Sequence, residues 1–132
     1  MSNTDTSAEA IVRRFCQTWD ERDLEGIVAM LSLDIAYQNV PRPAMHGREE
    51  VRAFVAPIIA KATRIEFILT AIATSPDGET VLTERLDRLH YGDKVVDIPL
   101  MGVFVVKSGL ITAWRDYADS AHVGAQFAQL AG

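Results

Sequence analysis

The stretch VLTERLDRLHY, residues 81–91, decides how this chain is read. A turn made by Ser75, Pro76, Asp77 and Gly78 precedes it and a Gly92–Asp93 turn follows, so it reads as a strand. Successive side chains of a strand point to opposite faces. Thr83, Arg85, Asp87 and Leu89 therefore share one face, and Glu84, Leu86, Arg88 and His90 share the other. A half-buried strand normally shows one apolar face, yet this one carries charge on both. Two explanations are open. Either the strand lies at a solvated edge, or one charged pair is held inside.

Outward from this stretch the chain continues as strands. Residues 64–74 read as the strand before it, and 95–107 as the strand after it, with Pro99 and Gly102 expected to impose a bulge or bend. Ser108 and Gly109 turn the chain into a last strand at 110–119. Towards the N-terminus the period changes. Thr6 with Glu9 forms a capping box, and Ile11, Val12, Phe15, Cys16 and Trp19 recur at helical spacing up to residues 20–22. Asp23 is the expected N-cap of a short second helix bearing Leu24, Ile27, Val28 and Leu31. A strand at 35–40, with Tyr37 and Asn39 on one face, stops at Pro41 and Pro43. Gly47 opens a third helix over 48–61, with a stripe of Val51, Phe54, Val55, Ile58 and Ile59 and with Pro57 expected to kink or shorten it. Val123, Phe127 and Leu130 mark a C-terminal helical piece within 120–132, and residues 1–5 read as a loose tail.

The order is helix, helix, strand, helix, then four strands in hairpin succession. Helices segregated from a mainly antiparallel sheet indicate the α+β class. A strongly curved sheet covered by three to four helices would make a cone around a pocket. At 132 residues the chain is expected to be one domain, 1–132, burying about two thirds of its unfolded surface. The net charge of −5 and the absence of a lysine or arginine cluster argue against a nucleic-acid partner. The longest apolar run, 54–60, is too short to span a membrane. The N-terminus is polar and acidic rather than signal-like, so a cytoplasmic location is expected. Cys16 is the only cysteine, which leaves no intramolecular disulfide and no thiolate zinc cluster.

Three strand segments each gather polar groups on a single face: Tyr37 with Asn39, Arg85 with Asp87, and Asp116 with Thr112 and Trp114. If these faces line one pocket, two carboxylates flank one guanidinium, whose planar fork can hold both. With one proton shared, one aspartic acid donates while the other accepts. Each group also has a plainer reading. An Arg-x-Asp pair is commonly an edge ion pair, Tyr37 can cap the core, Asn39 is a natural strand-end residue, and Cys16 and Trp19 fit a core stripe. His46, His90 and His122 have no ligand spacing, and there is no phosphate loop or nucleophile elbow.

Taken as a set, YQNVPRPAMHGREEV at 37–51, LTERLD at 82–87 and LMGVFVVKSGLITAWRDYAD at 100–119 resemble the limonene epoxide hydrolase family, which has the cone-shaped nuclear-transport-factor-like fold. The likeness spans residues 35–119, and the combination of Y-x-N-x-P, E-R-x-D and G-x-I/L-T-x-W-R-D-Y is far more specific than any one of them. The resemblance implies Asp87 as general acid, Arg85 as bridge and Asp116 as general base, with Tyr37 and Asn39 holding the attacking water. It further implies an apolar pocket lined by Cys16, Trp19, Leu69, Leu89, Ile98 and Leu100. Expected partners are a small apolar epoxide and water, with no cofactor and no metal. A homodimer is expected through the sheet face that the helices leave bare. Two other readings of the same fold are a ketosteroid-isomerase or polyketide-cyclase type of enzyme and a non-catalytic ligand-binding module.

Overall fold

The computed structural model describes residues 6–131; the tail expected at 1–5 lies outside them. The chain runs α1 (Ala8–Asp20), α2 (Leu24–Ala29), β1 (Leu31–Val40), β2 (Met45–His46), α3 (Arg48–Lys61), β3 (Arg64–Thr74), β4 (Thr80–Tyr91), β5 (Lys94–Lys107), β6 (Leu110–Ala118) and α4 (Ser120–Ala128), closed by a short 3-10 turn at Gln129–Ala131. The six strands form one sheet in the order β2-β1-β6-β5-β4-β3. Only β1 and β6 run parallel; every other pair is antiparallel. The class is α+β, with a mixed, mainly antiparallel curved sheet.

Amphipathic patterning places the helices. Ile11, Val12, Phe15, Cys16 and Trp19 are all buried on α1, which lies on the concave face, where Phe15 meets the edges of Phe104 and Trp114. Ser7, rather than the expected Thr6, caps α1 by accepting from the Ala10 amide at 3.1 Å, and Glu9 pairs with Arg13 instead. At the far end of α1, Asp20 accepts the Phe67 amide at 2.7 Å and so ties the helix to β3. Asp23 caps α2 as expected, taking the Gly26 amide.

Two features differ from the sequence reading, the start of β1 and the presence of β2, while α3 has the expected span, 48–61. Leu31 opens β1 instead of closing α2, because its strand begins four residues early across an irregularity between Leu31 and Ala36. The two-residue strand β2, paired to Ala36 and Tyr37, is too short to show a period. Helix α3 continues through Pro57 to Lys61, starting from Gly47 at φ +89°, a conformation that favours glycine. On α3 only Val51 and Val55 are fully buried, while Phe54 is 36% exposed. Of the bulge or bend expected at Pro99 and Gly102, no bulge forms against β4. The β4–β5 register runs unbroken from Thr80 opposite Val105 to Tyr91 opposite Lys94. The irregularities that help bend the sheet lie instead between β3 and β4 at Leu69/Ala71, where Thr70 is skipped, and between β5 and β6 at Val105/Val106, where Thr112 is skipped.

Along β4 burial alternates residue by residue. Thr83, Arg85, Asp87 and Leu89 are buried on the concave face. On the convex face Arg88 forms a two-bonded pair with Asp97 and His90 meets Glu66 at 2.7 Å. The charged pair held inside is Arg85 with Asp87, and the strand lies within the sheet, between β3 and β5.

Candidate active site

Sheet register, more than any single segment, assembles the site. One row across four strands runs Thr83, Gly102, Asp116, Asn39, and the next runs Val81, Phe104, Trp114, Tyr37. Asp87 stands two residues along β4 from Arg85, opposite Phe67 of β3 and Ile98 of β5. The three polar segments recognised in the sequence therefore converge on the concave face.

Arg85 is 2% exposed, and a buried guanidinium has to be paired. Its Nε and Nη2 donate to the two oxygens of Asp87, both at 2.9 Å, a two-pronged pairing. Nη2 also donates to Asp116 Oδ2 at 3.1 Å. The Phe67 and Phe104 rings lie 5.0 and 5.6 Å from its central carbon, within cation–π range. Asp116 Oδ1 accepts the Trp114 indole N–H at 2.9 Å; the two residues share a face because they are two apart on β6. Thr83 Oγ1 donates to the Gly102 carbonyl at 3.0 Å and faces Arg85 Nη1 at 3.4 Å.

Gly102 is what lets these groups meet. A Cβ at this position would collide with Arg85 Nη1 and lie 2.7 Å from Asp116 Oδ1 and 3.0 Å from Thr83 Oγ1. Glycine leaves the space in which Arg85 on β4 reaches across β5 to Asp116 on β6. Thr83 and Trp114 were legible as face-mates of the acids, but their hydrogen bonds depend on register. Gly102 carried no chemical signal in the sequence.

Electrostatics favour a partly protonated pair. Burial raises the Asp87 carboxyl to about 6, against the opposing pull of Arg85 and with added push from Asp116. Burial also raises Asp116, opposed by Arg85 and by the Trp114 hydrogen bond. Arg85 stays charged: burial works against it, but the two carboxylates outweigh that and raise its pKa. Burial pushes the Tyr37 hydroxyl well above its ordinary value, so it remains a neutral phenol. Its hydroxyl donates to Asn39 Oδ1 at 3.3 Å, while its ring stacks on Trp114 at 3.8 Å between centroids. Burial likewise pushes the Cys16 thiol up to about 12, too high for a thiolate nucleophile.

The triad's two carboxyls open onto a cavity of about 450 Å³. Of the residues named from the sequence, Tyr37, Asn39, Asp87, Asp116, Trp19, Leu89, Ile98 and Leu100 line it. Arg85 stands behind the two aspartates. Cys16 is buried on the α1 stripe and Leu69 packs against the core beside Arg85, both outside the lining. Sequence reading missed the walls that α3 and α4 supply, Phe54, Ile58, Val123 and Phe127; their helical spacing was visible, but not the side on which each would face the cavity. Among the described residues no group of three or more His, Cys, Asp or Glu side chains could hold a metal ion.

Residues 6–129 match the family profile described as limonene-1,2-epoxide hydrolase catalytic domain. The epoxide hydrolase EphG of Mycobacterium tuberculosis is 33% identical over 108 residues, covering 82% of this chain and 70% of that protein. A solved LEH-like epoxide hydrolase from M. tuberculosis superposes with a TM-score of 0.80 at 29% identity, over 92% of this chain and 90% of the other. A Xanthomonas campestris structure ascribed to the polyketide cyclases, at 18% identity and TM-score 0.78 over 90% and 95% of the two chains, shares the fold. With its profile matched over nearly the whole length and its sequence a third identical to a named epoxide hydrolase, this chain belongs to the limonene-1,2-epoxide hydrolase family.

Proposed function

We propose that the protein adds water to an apolar epoxide in one step and releases a vicinal diol. The observation that carries this reading is the pair of buried carboxyls, held by one guanidinium at the floor of an apolar cavity. Water is a weak nucleophile and an alkoxide a poor leaving group, so both ends of the reaction need a proton partner. Asp116 takes a proton from water as the water oxygen attacks a ring carbon. The carbon–oxygen bond breaks, and the epoxide oxygen receives a proton from Asp87. Arg85 holds both carboxyls in place and balances the charge that remains. Tyr37 donates to Asn39 Oδ1, which leaves the Asn39 amide N–H groups and the tyrosine oxygen free to hold the water beside Asp116. No covalent ester forms on either aspartate.

A cyclase reading uses the same acid and base, with a hydroxyl of the substrate replacing water. The fold shared with polyketide cyclases keeps it open, as does the likeness, at 17% identity, to an epoxide hydrolase/cyclase-like enzyme of pyran ring formation. Single turnover in ¹⁸O-labelled water separates these chemistries. Direct attack places label in the first-turnover diol. An enzyme ester gives a first diol without label, and a cyclase gives an unlabelled ring. Asp87→Asn and Asp116→Asn are each expected to lower kcat by roughly 100- to 10,000-fold with the circular dichroism spectrum unchanged. Near-wild-type diol formation by either variant would remove that residue from the mechanism.

A further inference from the structure

The cavity has two chemically different ends. Its floor is buried and holds Tyr37, Asp87, Trp114 and Asp116, while its rim is exposed and formed by Pro41, Arg42, Ser120 and Gly124. Between them lie apolar walls, with Phe54, Leu89, Ile98 and Leu100 among them. Asp87, Asp116 and Arg42 are the ionisable acids and bases among the described lining residues, apart from the neutral Tyr37 phenol. With one proton on the aspartate pair, that pair and Arg85 sum to zero charge. Arg42 is then the net charge that a ligand in the cavity meets.

The main chain of Arg42 is fixed. Its amide donates to the Asn39 carbonyl at 2.8 Å and its carbonyl accepts from Gln38 Nε2 at 2.9 Å. Pro41 and Pro43 restrict the backbone on both sides. Its guanidinium enters none of the ion pairs among the described residues, whereas Arg52, Arg85 and Arg88 are each matched to carboxylates. The acid at the start of α4, Asp119, is committed to the Ala121 and His122 amides. Arg42 stands three positions beyond Asn39, with Val40 and Pro41 between them, so its Cα lies within about 10 Å of that of Asn39.

We propose that the substrate is an amphipathic epoxide with a carboxylate at the end remote from the oxirane, and that Arg42 receives this carboxylate at the rim. The proposal rests on the epoxide reading of the floor. It also sets a single orientation: the anionic end is excluded from the aspartate pair and held outside, so the oxirane enters first. The planar fork of arginine matches a carboxylate in a way that a point charge does not.

The test compares the terminal epoxide of decenoic acid with its methyl ester on wild-type protein, Arg42→Met and Arg42→Glu at low ionic strength. For an exposed cation, the wild type is expected to prefer the acid about two- to fivefold in kcat/KM, carried by KM. That ratio is expected to fall to about one in Arg42→Met, to invert in Arg42→Glu, and to flatten as salt is added. A wild type that treats acid and ester alike, or a preference that survives in Arg42→Met, overturns the proposal. Turnover of the ester with no preference for the acid leaves the epoxide reading standing and removes this one. A second measurement does not depend on turnover: calorimetric binding of decanoate against decanamide. Tighter binding of decanoate, lost in Arg42→Met, supports the anion site even on a protein that opens no epoxide. Equal binding of the two by the wild type overturns it.

Discussion

Arg85 shows how much a buried charge depends on its neighbours. Alone, a guanidinium at 2% exposure would be strongly unfavourable; here two carboxylates and two aromatic faces surround it. Burial raises both acids against the pull of that guanidinium, Asp87 to about 6. In the proposed reaction the active form carries one proton on the pair. Activity is then lost at low pH as the base protonates, and at high pH as the acid gives up its proton. A profile of kcat/KM against pH should show a bell whose alkaline limb lies above the ordinary carboxylate pKa, and a rate still rising past pH 8 would contradict the assignment. The stability consequence has a definite sign. A carboxyl raised in the folded state contributes stability that is fully present below its unfolded value near 3.8 and lost as pH rises through about 6. Urea midpoints compared between wild type and Asp87→Asn should therefore diverge across that window, with the wild type losing more as pH rises.

At the scale of elements, the site is a product of three adjacent strands whose side chains converge over the middle one. β4 supplies Arg85 and Asp87, β6 supplies Trp114 and Asp116, and β5 supplies the space between them at Gly102. Gly102→Ala tests this directly. The added methyl overlaps Arg85 and Asp116, so the guanidinium has to leave one of its carboxylates. The expected result is a fall in kcat of at least tenfold together with about 1–3 kcal/mol of lost stability by urea denaturation; wild-type turnover and stability would show that the triad does not need that gap. The strands themselves were legible in sequence wherever alternation and turn residues agreed, as in β3, β4 and β6. β1 was harder, because exposed Leu33 and Asp34 interrupt its alternation before Ile35. Pro99 invited a bulge that did not form. The ladder to β6 begins only at Leu100, so Pro99 has β4 as its one neighbour, and proline is tolerated where a strand lacks a partner on one side.

For the molecule as a whole, the helices cover one face of the sheet and leave the other open. Leu82, Met101 and Tyr117 are 45%, 48% and 46% exposed on that convex face, beside a groove lined by Thr70, Glu84, Leu86 and Pro99. We propose that a second copy of the chain covers it through a two-fold contact, in which the same patch serves both partners. Light scattering at micromolar concentration should report a dimer, and Met101→Glu should shift it to monomer; a wild type that stays monomeric would count against the contact. No helix among the described residues is long and apolar enough to cross a membrane. The alternation of β4 by itself determined that Arg85 and Asp87 lie on the same side, because strand geometry is local and fixed by a two-residue period. The motifs at 37–39, 82–87 and 112–117 likewise determined the family. Only the tertiary structure decided that the shared side faces inward and that Asp116, 31 residues away, completes the pairing. It also decided that Gly102 is the gap between them and that Arg42 stands at the rim. These relations depend on which strands become neighbours and in what register. That is set by burial of the whole sheet against its helices, which no single segment encodes.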